Sequence, residues 1–195
     1  MDKRFLAILA VIVILFIGVF VFSKNSTEKS GNATNSNQPI GLFHAAQSRD
    51  HIERGQAHAP YTSDPASSGP HYSDAGAPAL WGVYIEEVPD EVFVHNEEHG
   101  GVIVTYNPGV LSEDQIKKIQ KLFAPPYSDS NFKPNRAIVT PRTKNTKPIE
   151  LAAWSYTLNL DVYDQSKIEG FYLKHVNHAP EAGGLPHNTP INQAK

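Results

Sequence analysis

The chain has 195 residues, 40% hydrophobic and 19% charged, with a formal net charge of -3 at pH 7, enough for one domain of ordinary size once tails are set aside. An acidic average argues against a general grip on a phosphate backbone, so no nucleic-acid partner is expected. Cysteine is absent and Met1 is the only methionine, which excludes disulfides, thiolate-bound zinc, iron–sulfur clusters, thiol nucleophiles and Met-rich copper(I) sites.

Phe5 to Phe22 reads FLAILAVIVILFIGVFVF, an unbroken apolar run that as a helix reaches about 27 Å and nearly matches a bilayer core. Lys3 and Arg4 precede it and Lys24 follows; this imbalance favours a cytoplasmic N-terminus with the rest of the chain outside. The run exceeds a usual signal-peptide core, and Val21-Phe22-Ser23 is not a small-x-small cleavage site. Residues 1–24 are therefore expected to be a cytoplasmic stub and single-pass signal anchor in the cell membrane. Residues 25–39 are polar and rich in Ser, Asn and Thr, the composition of a flexible linker. An extracytoplasmic domain is expected over 40–180, with a Gly- and Pro-containing flexible tail over 181–195.

Residues 40–80 hold several Pro and Gly and no clean periodicity. So long an irregular segment either wraps the fold as a site-forming loop or frays. Trp81–Val88, Glu91–His95 and Gly101–Tyr106 read as strands. Ser112 with Gln115 forms a capping-box pattern, and Ile116, Ile119, Leu122 and Phe123 then share a helical face. After a Pro-rich loop over 124–135, Arg136–Thr140 and Ile149–Leu160 read as strands. Asp164 caps a helix whose apolar face is Ile168, Phe171, Tyr172 and Val176. The order β-β-β-α-β-β-α predicts an α+β fold, a two-layer sandwich of a mostly antiparallel sheet and two helices. The long irregular segment and one N-terminal transmembrane helix precede it.

Charge is segregated along the chain. Between Gly55 and Ile116 there is no Lys or Arg, while Asp64, Asp74, Glu86, Glu87, Asp90, Glu91, Glu97, Glu98, Glu113 and Asp114 are acidic. From Lys117 to Lys147 the balance reverses. One negative, cation-attracting region and one positive region follow.

The nine histidines are unevenly placed. His95-Asn96-Glu97-Glu98-His99-Gly100-Gly101 sets two imidazoles four residues apart beside carboxylates, a pair that shares one face of a helix or a strand. Neutral imidazole suits zinc or copper, and a four-coordinate site needs further ligands from elsewhere. His71 in a Ser-Gly-Pro-His turn, His51 and His58 are the upstream candidates. His95, Glu98 and His99 also match H-x-x-E-H, the inverted zinc-peptidase pattern with Glu as general base. That motif requires a helix, whereas Val92-Phe93-Val94 and Val102-Ile103-Val104 argue for strands and Gly100-Gly101 would break a helix. Without a metal, His95 and His99 would cap a β-turn and hydrogen-bond to carboxylates or backbone. His175 falls on an apolar helix face, as a satisfied core histidine does, and His178 and His187 belong to the helix end and tail.

The combination of Asp50-His51-Ile52, Ser68-Gly69-Pro70-His71, Gly82-Val83-Tyr84 and the His95 to Gly101 stretch resembles the membrane-anchored prokaryotic family filed as domain of unknown function 3105. The resemblance spans roughly residues 44–182. Asp64-Pro65-Ala66-Ser67 departs from the family's Pro-Pro pair before the turn and leaves His71 in place. The resemblance implies an extracytoplasmic domain behind one anchor and supplies no activity.

The expectation is a membrane-anchored extracytoplasmic domain that binds copper(II) or zinc through His95, His99 and His71, with Glu98 or His51 completing the set. Glu97 or Glu98 could instead orient an imidazole from outside the ligand shell. Two alternatives stay open. One is a non-catalytic accessory or assembly domain whose acidic face docks a basic envelope protein at the membrane. The other is a metal-dependent hydrolase built on the same histidines around a metal-bound water.

Overall fold

Three central strands whose successive residues face two separate cores organise the domain in the computed structural model, which describes residues 40–124 and 136–182. The expected anchor, linker, most of the Pro-rich loop and the tail beyond Ala182 lie outside the described residues. Among the described residues no helix is long and apolar enough to cross a membrane. In chain order the elements are β1 (Leu42–Phe43), β2 (His51–Ile52), β3 (His71–Tyr72), β4 (Gly82–Val83), α1 (Asp90–Glu98) and β5 (Val102–Tyr106). They continue with α2 (Glu113–Phe123), β6 (Ala137–Pro141), β7 (Ile149–Ala153), β8 (Tyr156–Leu160) and α3 (Gln165–His175).

Six strands form one sheet in the order β1-β8-β7-β5-β6-β4. The pairs β1/β8, β8/β7 and β7/β5 are antiparallel, and β5/β6 and β6/β4 are parallel. The fold is α+β with a mostly antiparallel sheet, as expected, but three helices rather than two lie among the described residues. They also cover both faces of the sheet, not one. Val102, Val104, Ala137, Val139, Leu151 and Ala153 point into a core with Ile119, Leu122 and Phe123 of α2 and Ile168, Phe171 and Tyr172 of α3. Ile103, Ile138 and Ala152, one residue out of phase, point to the other face and pack with Trp81 and with Val92, Phe93 and Val94 of α1. Strands buried on both faces read as continuous apolar runs, and β5 and β7 are buried along their whole length.

Two strand expectations change. Ile149–Leu160 is a hairpin, reversed at Trp154-Ser155 with Ser155 at φ 67, because two residues suffice to reverse paired strands. Within Trp81–Val88 the strand is limited to Gly82 and Val83, with the Tyr84 N–H donating to the Val139 carbonyl just beyond it. The capped helices are where the sequence places them. Ser112 and Gln115 make the reciprocal capping box of α2, and the Asp164 side chain accepts from the Lys167 N–H at the start of α3.

The largest difference is Glu91–His95, which is helix and not strand. Val92-Phe93-Val94 has poor intrinsic helix propensity, but all three side chains are buried against the sheet and Trp81, and tertiary burial outweighs a few tenths of a kcal/mol per residue. Gly100 and Gly101 end this helix in a Schellman turn. The Gly100 N–H donates to the Glu97 carbonyl at 2.9 Å and the Gly101 N–H to the Asn96 carbonyl at 2.8 Å. Gly100 sits at φ +85, and a Cβ on Gly101 would stand 2.4 Å from the Trp81 ring, so neither position accepts a side chain without displacement.

Arg142 ties the irregular segment, α1 and the sheet together. It is 1% exposed and donates to both Asp90 oxygens at 3.1 and 2.9 Å, to Asn145 Oδ1 at 2.9 Å and to Asp64. Glu150, fully buried on β7, lies 3.5 Å from it. Removing one partner of a buried charge network leaves the others uncompensated. Arg142→Met is therefore expected to destabilise the chain by about 3–5 kcal/mol in urea denaturation, whereas Lys117→Ala, which removes an exposed pair with Glu113, should change it by less than about 0.5 kcal/mol.

Candidate metal centre

Two short strands from the irregular segment bring the first pair of histidines together. β2 and β3 run parallel with His51 opposite His71, and the His71 N–H donates to the Asp50 carbonyl at 3.0 Å. Registered partners project to the same side of a ladder, and the two imidazole centroids are 5.0 Å apart. The Ser-Gly-Pro-His turn is pinned from several directions. Tyr61 Oη donates to the Pro70 carbonyl at 2.7 Å, the Gln47 N–H donates to Ser68 Oγ at 3.0 Å, and the Ser155 N–H donates to the Ser67 carbonyl at 2.8 Å. The segment 40–80 thus wraps the fold as a site-forming loop.

Helix α1 supplies the other side. His95 and Glu98 lie three residues apart, on one helical face. The His95 ring is 5.2 Å from His51 and 4.8 Å from His71, centroid to centroid. One ligand atom each from His51, His71, His95 and Glu98 lies within 4.8 Å of all the others. His71, His95 and Glu98 are buried, and His51 is exposed at the edge. Asn96 holds the helix in place by exchanging hydrogen bonds with Ala79, its Oδ1 accepting at 2.9 Å and its Nδ2 donating at 2.8 Å.

The hydrogen bonds assign the proton on each buried ring. A carbonyl oxygen only accepts, so His71 Nδ1 donates to the Gly69 carbonyl at 2.8 Å and His95 Nδ1 to the Tyr72 carbonyl at 2.6 Å. In a neutral ring this leaves Nε2 as a bare lone pair. For His95 the neutral form is strongly favoured. Burial, with repulsion from the neighbouring histidines, outweighs the Tyr72 hydrogen bond and pushes its pKa down to about 4. His71 Nε2 is buried without a hydrogen-bond partner, although Glu98 Oε2 is only 3.2 Å away. A lone pair and a carboxylate oxygen facing each other at that distance are both acceptors, and a cation between them turns repulsion into coordination.

The candidates divide as follows. His51, His71, His95 and Glu98 converge on one point. His99 stacks on His95 with centroids 5.0 Å apart but belongs to a separate group with Glu98 and Glu181. His58 lies apart, 3.5 Å from Glu91 and against Tyr61. His175 is the satisfied core histidine expected, its Nε2 donating to the Ile40 carbonyl at 2.7 Å. Sequence reasoning missed Arg49 and Glu181. Arg49 Nη1 sits 3.5 Å from Glu98 Oε1 and 3.3 Å from Glu181 Oε1, and the Glu181 N–H donates to the Glu98 carbonyl at 3.0 Å. No local pattern marks either residue, because the contact spans more than a hundred positions. The β-turn that His95 and His99 would cap in the metal-free alternative is absent, and helix α1 stands in its place. With it falls the objection that H-x-x-E-H has the wrong backbone here.

Residues 51–188 match the family described as a protein of unknown function, domain of unknown function 3105. The match covers most of the chain, which belongs to that family. No curated protein and no solved structure matches the chain.

Two opposed pH effects follow. An unfolded histidine titrates near 6.5, so between pH 6.5 and 4 the unfolded chain binds a proton that native His95 refuses. Metal-free protein should lose stability as pH falls through this window, His95 accounting for at most about 3 kcal/mol at pH 4. Denaturant titrations of the parent chain and His95→Gln at pH 7 and 4 isolate this share, since His44 and His175, also lowered by burial, act equally in both. Glu97 behaves oppositely. Both its carboxyl oxygens are buried without a hydrogen-bond partner, and burial, then Asp90, raises its pKa well above the ordinary value. Ionising it costs stability as pH rises. Glu97→Met should raise the melting temperature at pH 8, with the gain shrinking toward pH 4.5.

Proposed function

We propose that this chain is an extracytoplasmic domain on a single membrane anchor, residues 5–22, that binds zinc or copper(II) through His51, His71, His95 and Glu98. The observation that carries the reading is the tautomer pattern at the buried rings. His71 and His95 each commit Nδ1 to a backbone carbonyl and turn Nε2 toward the same small space, as metal-ligating histidines do. Three imidazoles and one carboxylate form a nitrogen-rich donor set suited to zinc or copper(II), and the absence of Cys and the lone Met1 disfavour copper(I).

The dimensions support it. Donors around tetrahedral zinc lie about 3.3 Å apart when bonds are near 2.0 Å, so ligand atoms that all lie within 4.8 Å of one another need to close by no more than about 1.5 Å on binding. His51 is exposed and has the freedom to make that movement. It also gives ions a path in and out, which favours uptake, holding or hand-over of a metal rather than a sealed structural site. The apolar run with Lys3 and Arg4 before it supports the anchor and the outward placement of the domain.

A metal-dependent hydrolase has one observation in its favour, the helical H-x-x-E-H of α1. Against it, His95 and His99 contribute to different groups, and Glu98 faces His71 instead of standing free as a base. The docking reading is weakened by internal neutralisation of the acidic segment, since Asp64 and Asp90 pair with Arg142 and Asp74 with Arg54.

The full chain, purified in detergent without chelator or affinity-tag histidines, should carry at least one equivalent of zinc or copper by elemental analysis. His71→Ala should weaken that binding at least about a hundredfold, while His58→Ala leaves it unchanged. Metal content unaffected by His71→Ala would contradict the reading.

A further inference from the structure

Glu98 is the only residue shared by both groups of converging ligands among the described residues, and its two oxygens face opposite ways. Oε2 lies 3.2 Å from His71 Nε2, whereas Oε1 lies 3.5 Å from Arg49 Nη1. On the Oε1 side stand His99 and Glu181, whose ligand atoms lie within 4.8 Å of each other and of Glu98. His99 Nδ1 points to the Glu181 carbonyl at 3.3 Å, so its Nε2 is the lone pair, 3.9 Å from Glu181 Oε2. The same Nδ1-to-carbonyl arrangement recurs at His71 and His95.

A positive charge is already seated there. The Arg49 guanidinium reaches both Glu98 at 3.5 Å and Glu181 at 3.3 Å. Arg49 and Glu181 are each 48% exposed at the side chain, so this pairing is weak and readily exchanged. A divalent ion bound by an imidazole and two carboxylates competes well with such an exposed guanidinium.

We infer that His99, Glu181 and Glu98 form a second divalent-cation site, with Glu98 bridging it to the His51, His71 and His95 centre and Arg49 occupying it until the ion displaces it. The inference rests on the first centre being a metal site. The carboxylate of Glu98 then binds one ion through each oxygen, an arrangement that holds paired ions about 3.5–4 Å apart in two-metal sites. The inner ion takes Oε2 and leaves Oε1 to Arg49, so the outer ion still has to displace the guanidinium and enters second.

Calorimetric titration of the metal-stripped full chain in detergent with zinc chloride tests this. The parent chain should show two binding events. Glu181→Gln, an exposed change that leaves folding unaffected, should abolish the second or weaken it at least about tenfold and leave the first within about twofold. Arg49→Gln, which removes the competing cation, should tighten the second event about tenfold. His71→Ala should instead abolish the first. One event in the parent chain, unaltered by Glu181→Gln and Arg49→Gln, would overturn the second site and leave the first standing. No event at all would overturn both.

Discussion

The turn that ends α1 is the constraint on which the candidate centre depends. Gly100 takes a left-handed conformation and Gly101 lies flat against Trp81, so the helix must stop there and the chain must enter β5 at once. The helix end is gripped from outside as well. The Asn177 N–H donates to the Gly100 carbonyl at 2.9 Å, and the Glu181 N–H to the Glu98 carbonyl at 3.0 Å. With that end fixed, and Asn96 locked to Ala79, His95 and Glu98 have little freedom to turn away from His51 and His71. A ligand set made of three distant segments is preorganised in this way, which reduces the ordering cost of capturing an ion.

Burying this much polarity has a cost that the fold offsets in three ways. Arg142 compensates Asp90, Asp64 and Glu150, and the second Glu150 oxygen accepts from the Thr146 and Lys147 N–H groups at 3.0 and 2.9 Å. Burial pushes the Glu97 carboxyl toward its neutral form. Burial holds His95 neutral, and His71 and His95 each donate Nδ1–H to a backbone carbonyl. At the candidate centre the group left without a hydrogen-bond partner is Nε2 of His71, which faces Glu98. The acidic stretch between Gly55 and Ile116 is thus partly neutralised by arginines outside it, Arg142, Arg54 and Arg49.

The local capping signals and the periodicity of the two later helices read correctly. Ser112 with Gln115 and Asp164 with Lys167 are contacts within three residues, and the apolar faces of α2 and α3 follow from periodicity. The helix at 90–98 was hidden for physical reasons. Its N-cap is Pro89, with no side-chain hydrogen bond, its centre is β-branched, and its paired glycines resemble a breaker when they are in fact a cap. The three-layer arrangement was foreshadowed by Val102-Ile103-Val104, since an uninterrupted apolar strand implies a cover on both faces. At the site, the motif residues stood out because histidine and glutamate cluster in sequence. Pairing of His51 with His71 rests on two-residue strands twenty positions apart, which no periodicity reveals. Arg49 and Glu181 depend entirely on how the chain after α3 returns to α1.

An exposed His51 beside the buried His71, His95 and Glu98 describes a site that is organised yet reachable. The most direct test is anomalous diffraction from zinc-loaded crystals of the full chain. The account predicts a peak within about 2.0–2.2 Å of donors from His51, His71, His95 and Glu98. No peak there, with those four side chains ordered, or an ion held by His95 and His99 alone, would contradict it.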